Sequence, residues 1–193
     1  MRLISLWLLV GFSVVEGETL VNWSANYPPC TRPSELLKKG HMDLGVRIAT
    51  ANPVLAQQFR RAMDSWAAIL DLDWHEDDTQ SCSILLLDGA RELFQPVYVA
   101  ARSQLPDRLN FQGCIVFNPA QQLSAGELYR ISVHEIGHIL GLQHSVSATS
   151  VMYGLDLDGP EWLDLTDLTA LAAHHKLRIA PPDKPVKLPQ ARP

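Results

Sequence analysis

The sequence predicts an α/β (α+β) domain, in which strands and two long helices alternate along the chain. Apolar residues between Leu44 and Ile48 alternate with other residues, as in a strand with one buried face. A helix follows, because Asn52 and Pro53 form a helix start and apolar residues then recur at helical spacing as far as Leu70. The 193 residues suffice for one domain with a substantial core.

Four further strands and a second long helix are predicted after this first helix. The strands cover residues 72–74, 83–87, 97–101 and 114–117. The run at 83–87 is nearly all apolar, which favours an inner strand covered on both faces. Pro96 directly precedes the strand at 97–101, and proline is tolerated only at the edge of a sheet, so this strand is predicted at the edge. Ser124 and Glu127 form a capping box that begins the second helix.

Both ends of the chain are predicted to lie outside the domain, which covers residues 43–178. Residues 1–17 have a basic start, an apolar run and a small final residue, which is typical of a cleaved secretory signal peptide. An uncleaved membrane anchor is the lesser alternative, because the apolar run is shorter than the roughly 20 residues that a membrane span needs. Residues 18–42 form an N-terminal segment, interpreted as a short propeptide, and residues 179–193 form a proline-rich tail, extended or disordered. The protein is therefore expected to be extracellular, or periplasmic in a Gram-negative host, and free of the membrane after removal of the signal.

The stretch HEIGHILGLQH, from His134 to His144, carries most of the functional information. His134 and His138 lie one helical turn apart on one face, so this pair can chelate a single ion. His144 can join them only if the chain leaves the helix and reverses, because ten helical residues would carry it about 15 Å along the axis. Gly141 stands where the reversal is needed, since glycine adopts the left-handed conformation that ends helices.

Three histidines without a fourth protein ligand match a catalytic zinc site, which keeps one position open for water. Zinc can lower the pKa of that water to about 7. Glu135 directly follows the first histidine on the helix, so its carboxylate does not point at the metal. It can instead accept a hydrogen bond from the metal-bound water and act as a general base. We therefore expect one catalytic Zn²⁺ held by His134, His138 and His144. The alternative is a histidine-rich helix end without metal, which requires five fixed positions to match by chance.

These residues resemble the signature of the metzincin metallopeptidases, HExxHxxGxxH followed by a methionine turn. Ser145 after the third histidine, and Met152 within SVMYG, are similar to the matrixin branch. The resemblance implies a metzincin, zincin-like catalytic domain: a twisted five-stranded mixed sheet with an antiparallel edge strand, two long helices and a small C-terminal subdomain with a closing helix at residues 163–175. It also implies that Met152 forms an apolar floor beneath the imidazoles and that Asp167 supports the methionine turn.

The implied function is that of a secreted, zinc-dependent endopeptidase that acts on protein or peptide substrates as a monomer. The competing interpretation is a non-catalytic or self-inhibited metzincin-fold protein that binds peptides. An astacin-like protease is a second rival, which the identity of Ser145 and the spacing to Met152 disfavour. Nucleic acid is excluded as a partner, because the formal net charge is −5 and basic residues do not cluster.

The three cysteines allow at most one intramolecular pair. The family fold makes the strands that begin at Cys82 and Cys114 neighbours, so these two are the predicted disulfide. Cys30 would then be free, and its thiolate could occupy the open zinc position in a latent form. A structural disulfide or a bystander thiol is the favoured interpretation of Cys30.

Further metal sites have little support in the sequence. Matrixins commonly hold a second, structural zinc in the loop before the last strand, but residues 88–120 contain no histidine, so none of that type is expected. Residues 156–159 (DLDG) carry spaced carboxylates that calcium could bind, yet a solvated loop is favoured there.

Overall fold

The computed structural model describes most of the chain beyond its N-terminal segment. The described residues are 41–79, 82–91, 94, 98–107, 112–154, 161–179 and 183–189. The signal peptide predicted at residues 1–17 lies outside them, as do Cys30 and the calcium candidate at 156–159. Within the described ranges, no helix is long and apolar enough to cross a membrane.

Five strands form a mixed sheet in the order β2-β1-β3-β5-β4. The strands are β1 (Met42–Ala49), β2 (Leu72–Glu76), β3 (Ile84–Asp88), β4 (Ala101–Asp107) and β5 (Gln112–Phe117). The pairings of β1 with β2, of β1 with β3 and of β3 with β5 are parallel, whereas β4 is antiparallel to β5 at the edge. The predicted five-stranded mixed sheet with an antiparallel edge strand is thereby confirmed.

Three helices accompany the sheet in the described part of the chain, and each begins at a polar cap. The helices are α1 (Pro53–Ile69), α2 (Ala125–Ile139) and α3 (Leu165–His174). The Asn52 side chain accepts from two backbone amides of α1, and Ser124 and Glu127 form the predicted capping box of α2. Asp164 caps α3, which is why this helix begins two residues later than predicted. The apolar faces of α1 and α2 meet in the main core, where Trp66 Nε1 donates to Val133 O over 3.2 Å.

The edge strand was predicted in the wrong place, at residues 97–101 instead of 101–107. Its position follows from the partner strand, because Ala101 pairs with Phe117 and Asp107 pairs with Gln112. The pairing is irregular between positions 104 and 107, the part of the strand that contains Pro106. An edge strand tolerates proline, so a proline did indicate the edge strand. The proline that lies within the strand is Pro106, however, and not Pro96.

The C-terminal tail belongs to the packed domain over its described part. Strands β6 (Trp162–Leu163) and β7 (Val186–Lys187) form a small antiparallel sheet. Leu188, which follows β7, is buried in the main core. The described part of the tail is therefore extended, which is one of the two conformations predicted for it. Its packing against the domain was not predicted.

The predicted disulfide between Cys82 and Cys114 is wrong. Cys114 is a free thiol, and Cys82 is disulfide-bonded. The parallel pairing of β3 and β5 places Cys114 opposite Leu85, three residues beyond Cys82. At about 3.3 Å per residue this offset is about 10 Å, beyond the roughly 4.4–6.8 Å that a disulfide allows between Cα atoms. The latency role proposed for Cys30, which lies outside the described residues, requires a free thiol, whereas Cys82 requires a cysteine partner other than Cys114.

Candidate metal site

Three imidazoles converge where α2 ends. His134, His138 and His144 each offer a ring nitrogen, and these three nitrogens lie within 4.8 Å of one another. The Nε2 atoms of His134 and His138 are 3.1 Å apart. His144 is exposed and the other two are partly buried, so solvent reaches the cluster from the His144 side. This arrangement can hold a metal ion between the three rings.

Backbone carbonyls fix the orientation of the first two rings. His134 Nδ1 lies 2.8 Å from Val151 O, and His138 Nδ1 lies 2.9 Å from Leu142 O. Because a carbonyl oxygen only accepts, each Nδ1 carries the hydrogen and each Nε2 keeps a lone pair. A neutral imidazole that donates a hydrogen bond from Nδ1 to a backbone carbonyl, and leaves Nε2 free to coordinate, is a typical zinc ligand. The three histidines therefore fit Zn²⁺.

The chain reverses at Gly141, as the motif predicts. Gly141 has φ +99°, in the left-handed region. The amide of Gly141 donates to His138 O over 3.0 Å, and that of Leu142 donates to Gly137 O over 2.9 Å. These two bonds form a Schellman motif, which satisfies carbonyls at the end of the helix. An added Cβ at Gly141 would meet nothing within 4 Å, so the backbone conformation, not space, demands glycine.

Met152 is fully buried and packs directly against α2. A Cβ added at Gly137 would lie 2.6 Å from Met152 Sδ and 3.3 Å from the Trp66 ring, so the helix has room for the thioether only because residue 137 is glycine. Gly137 lies on α2 between His134 and His138. The contact therefore brings the methionine turn against the helix at the level of these two imidazoles.

The N-terminal cap of α3 holds this turn from its other side. Ser150 Oγ donates to Asp167 Oδ2 over 2.6 Å and accepts from the Met152 amide over 2.9 Å. Ser145 Oγ donates to Asp164 Oδ2 over 3.0 Å. Both carboxylates belong to the capping box of α3, so this helix fastens the segment that carries His144 and Met152.

Replacing Gly137 by alanine is expected to destabilise the fold by about 1–3 kcal/mol, because the new methyl group must displace Met152 Sδ. Gly126→Ala, in the same helix, is the matched control: its Cβ would approach only Ser124 Oγ, at 4.0 Å, and alanine favours helix. Urea denaturation of both variants measures the effect. Equal stability of Gly137→Ala and the wild type would contradict the close contact.

Glu135 is buried beside the three imidazoles. The Ser103 hydroxyl, on β4, contacts the Glu135 carboxylate and also lies 3.0 Å from the Glu135 backbone carbonyl. Burial raises the pKa of the Glu135 carboxyl, whereas the Ser103 hydrogen bond and the neighbouring His138 oppose this rise. A carboxylate with a raised pKa accepts a proton more readily near neutral pH.

The metal affinity should depend on pH in a defined direction. Burial lowers the pKa of His134 and of His138 below the ordinary value of 6.5, so both rings stay neutral in the fold while the unfolded chain takes up protons. The contribution of these rings to stability is thus full above about pH 6.5 and is lost as the pH falls below it. Zinc binding requires the same neutral rings.

Zinc titrations and thermal melts between pH 8 and pH 5 test this expectation. Affinity and melting temperature should both decline toward pH 5, and the decline in affinity should weaken in a variant that lacks one of the two histidines. Zinc affinity that is constant across this range would contradict the assignment of neutral imidazoles as ligands.

The sequence anticipated the residues that meet here and the support of the methionine turn by Asp167, but it missed three other supporting residues. The three histidines, Glu135, Met152 and the turn at Gly141 are brought together. Ser103 was missed because its strand was predicted elsewhere. Ser150 and Gly137 were passed over, although a glycine between two histidines in a helix signals a close neighbour.

Comparisons with known proteins agree with this geometry. The family described as Matrixin (peptidase M10) matches residues 46–166. Matrix metalloproteinase-A of Caenorhabditis elegans is 24% identical over 127 residues, which are 56% of this chain and 24% of that protein. The chain thus spans about a quarter of the length of this relative. Because the family match covers more than half of the chain and includes the histidine cluster, the chain belongs to the matrixin family of zinc metallopeptidases.

Proposed function

We propose that the protein is a secreted, zinc-dependent endopeptidase. His134, His138 and His144 hold one Zn²⁺, and Glu135 is the general base. The observation that supports this proposal best is the buried Glu135 carboxylate beside three converging imidazole nitrogens. Hydrolysis of a peptide by an activated water needs a general base and a set of ligands for a Lewis-acidic metal ion.

A bound zinc ion would lower the pKa of a coordinated water and polarise the scissile carbonyl. Glu135 accepts the proton of the attacking water at its carboxylate and passes it to the departing amide nitrogen. The hydrogen bonds from Nδ1 of His134 and His138 to backbone carbonyls fix both rings, so both Nε2 atoms would be available to hold a zinc ion without reorientation of the rings.

Ser103 acts in this proposal as a positioning residue for Glu135. Its hydroxyl reaches both the carboxylate and the backbone carbonyl of Glu135, which limits the rotamers of that side chain. Ser103→Ala is expected to lower kcat about tenfold or more with little change in KM or zinc affinity. Ser103→Thr keeps the hydroxyl and should recover most of the rate. Steady-state kinetics of both variants decide: an equal loss in alanine and threonine would contradict positioning by the hydroxyl.

The substrate is proposed to be a peptide that binds extended along β4. This strand is the antiparallel edge of the sheet, and an extended peptide can add to such an edge through backbone hydrogen bonds. Ser103 lies on the same strand, so a peptide bound there would pass close to Glu135. Export through the predicted signal peptide, and action as a monomer, are parts of the same proposal.

Incubation of the chain from residue 18 onward with a mixed peptide library tests the function. The proposal expects cleavage within peptides, not only at their ends, its loss with a zinc chelator and its recovery with added zinc. Zinc binding and peptide binding without cleavage would overturn the endopeptidase and favour the non-catalytic peptide-binding protein.

A further inference from the structure

We propose that residues 183–189, which we name the strap, position the metal site by holding the methionine turn against His134. The strap contains β7 and the buried Leu188. It lies far from His134 in sequence, yet a short series of hydrogen bonds connects the two. The inference rests on the proposed function to the extent that His134 is taken as a zinc ligand.

The first attachment of the strap is to β6. Strand β7 pairs antiparallel with β6, with Leu163 opposite Val186 and Trp162 opposite Lys187. The Leu188 amide adds a bond of 2.9 Å to Glu161 O. The Leu163 and Leu188 side chains are both buried in the main core. An isolated strand of two residues is unstable in water, so β6 depends on these contacts for its position.

The second attachment joins the strap to α1 directly and to α2 through a side chain of α1. The Ser65 hydroxyl, on α1, lies 2.7 Å from Pro189 O and 2.9 Å from Arg61 O, so its single proton is shared between the two carbonyls. The Tyr129 hydroxyl, on α2, lies 2.8 Å from Ser65 Oγ and donates to it. Tyr129 precedes His134 on the same helix. The strap is thus attached to β6 by residues 186–188 and to Ser65 of α1 by Pro189, and Ser65 in turn accepts from Tyr129 on the helix that carries His134 and His138.

Val151 transmits the position of β6 to the metal site. The Val151 amide donates to Trp162 O over 2.7 Å, and the Val151 carbonyl accepts from His134 Nδ1 over 2.8 Å. A displacement of β6 would therefore move the carbonyl that orients the imidazole. Loss of such a partner of a metal-ligating histidine typically lowers metal affinity about 10–100-fold.

If the strap only covered the core, its removal would lower stability and leave the metal site unchanged. The experiment therefore measures zinc affinity and local exchange at the site separately from stability. The variants are Leu188→Ala and deletion of residues 183–193, and the control is deletion of residues 190–193, which retains all the described contacts of the strap. Zinc affinity is measured by competition with a chromophoric chelator at a temperature where each variant is folded. Hydrogen exchange of the Val151 amide gives a readout that needs no metal.

We expect Leu188→Ala to weaken zinc binding about tenfold and to speed exchange at Val151 more than in β1, and the control to match the wild type. Deletion of residues 183–193 should have the larger effect; if it does not fold, Leu188→Ala still decides. Reduced melting temperature with unchanged zinc affinity and unchanged Val151 exchange would overturn the proposal and leave only a stabilising role. Failure of the wild type itself to bind zinc would instead refute the proposed function.

Discussion

Replacement of Glu135 by glutamine is expected to lower kcat by about 10²–10⁴-fold, the usual contribution of a general base. Glutamine has nearly the same shape and can still accept the hydrogen bond from Ser103, but its amide cannot take a proton from water. Zinc affinity should stay within a few-fold of the wild type, because Glu135 is not one of the three proposed zinc ligands. Single-turnover kinetics and a zinc titration measure the two quantities.

The matched control for this variant is Glu127→Gln, which removes the same charge from the same helix. Glu127 belongs to the capping box of α2, is partly exposed, and can still accept from the Ser124 amide as glutamine. Its kcat should equal that of the wild type. A Glu135→Gln enzyme that cleaves peptides at the wild-type rate would refute the assignment of the general base.

Replacement of His138 by alanine is expected to weaken zinc binding by about a hundredfold or more. About 10–16 kcal/mol of binding free energy in a four-ligand site corresponds to roughly 3 kcal/mol per ligand, and each 1.4 kcal/mol is a factor of ten. The two remaining histidines leave the ion with one protein ligand fewer than a catalytic zinc site requires. Competition with a chelator of known affinity gives the change directly.

His174→Ala is the control for this second experiment. His174 is exposed at the end of α3 and does not belong to the histidine cluster. The His174→Ala variant should bind zinc with the affinity of the wild type. Thermal melts without metal establish that both variants are folded. If His138→Ala retained wild-type zinc affinity in the folded state, the three-histidine site would be wrong.

The sequence predicted the parts of the fold that depend on local pattern. Alternation gave the position of β1, caps and helical spacing gave α1 and α2, and the apolar run at 83–87 identified the inner strand β3. The left-handed glycine at Gly141 was predicted because three histidines cannot meet on a straight helix. Each of these features is determined by residues that are close together in the sequence.

The features that were missed depend on partners distant in sequence. The bounds of β4 are determined by β5, and β7 exists because it pairs with β6. Cys114 faces Leu85 instead of Cys82 because of a strand register that no pattern in the sequence reveals. The same reason applies to Ser103 and Ser150, whose hydroxyls matter only through the carboxylates that folding brings to them.

Elemental analysis of the purified, folded chain measures whether the three histidines hold zinc. We expect one zinc ion per chain, removal of that ion by a chelator with loss of peptide hydrolysis, and recovery of both after addition of zinc. Folded protein that contains no zinc, and that binds none when zinc is supplied, would refute the three-histidine zinc site.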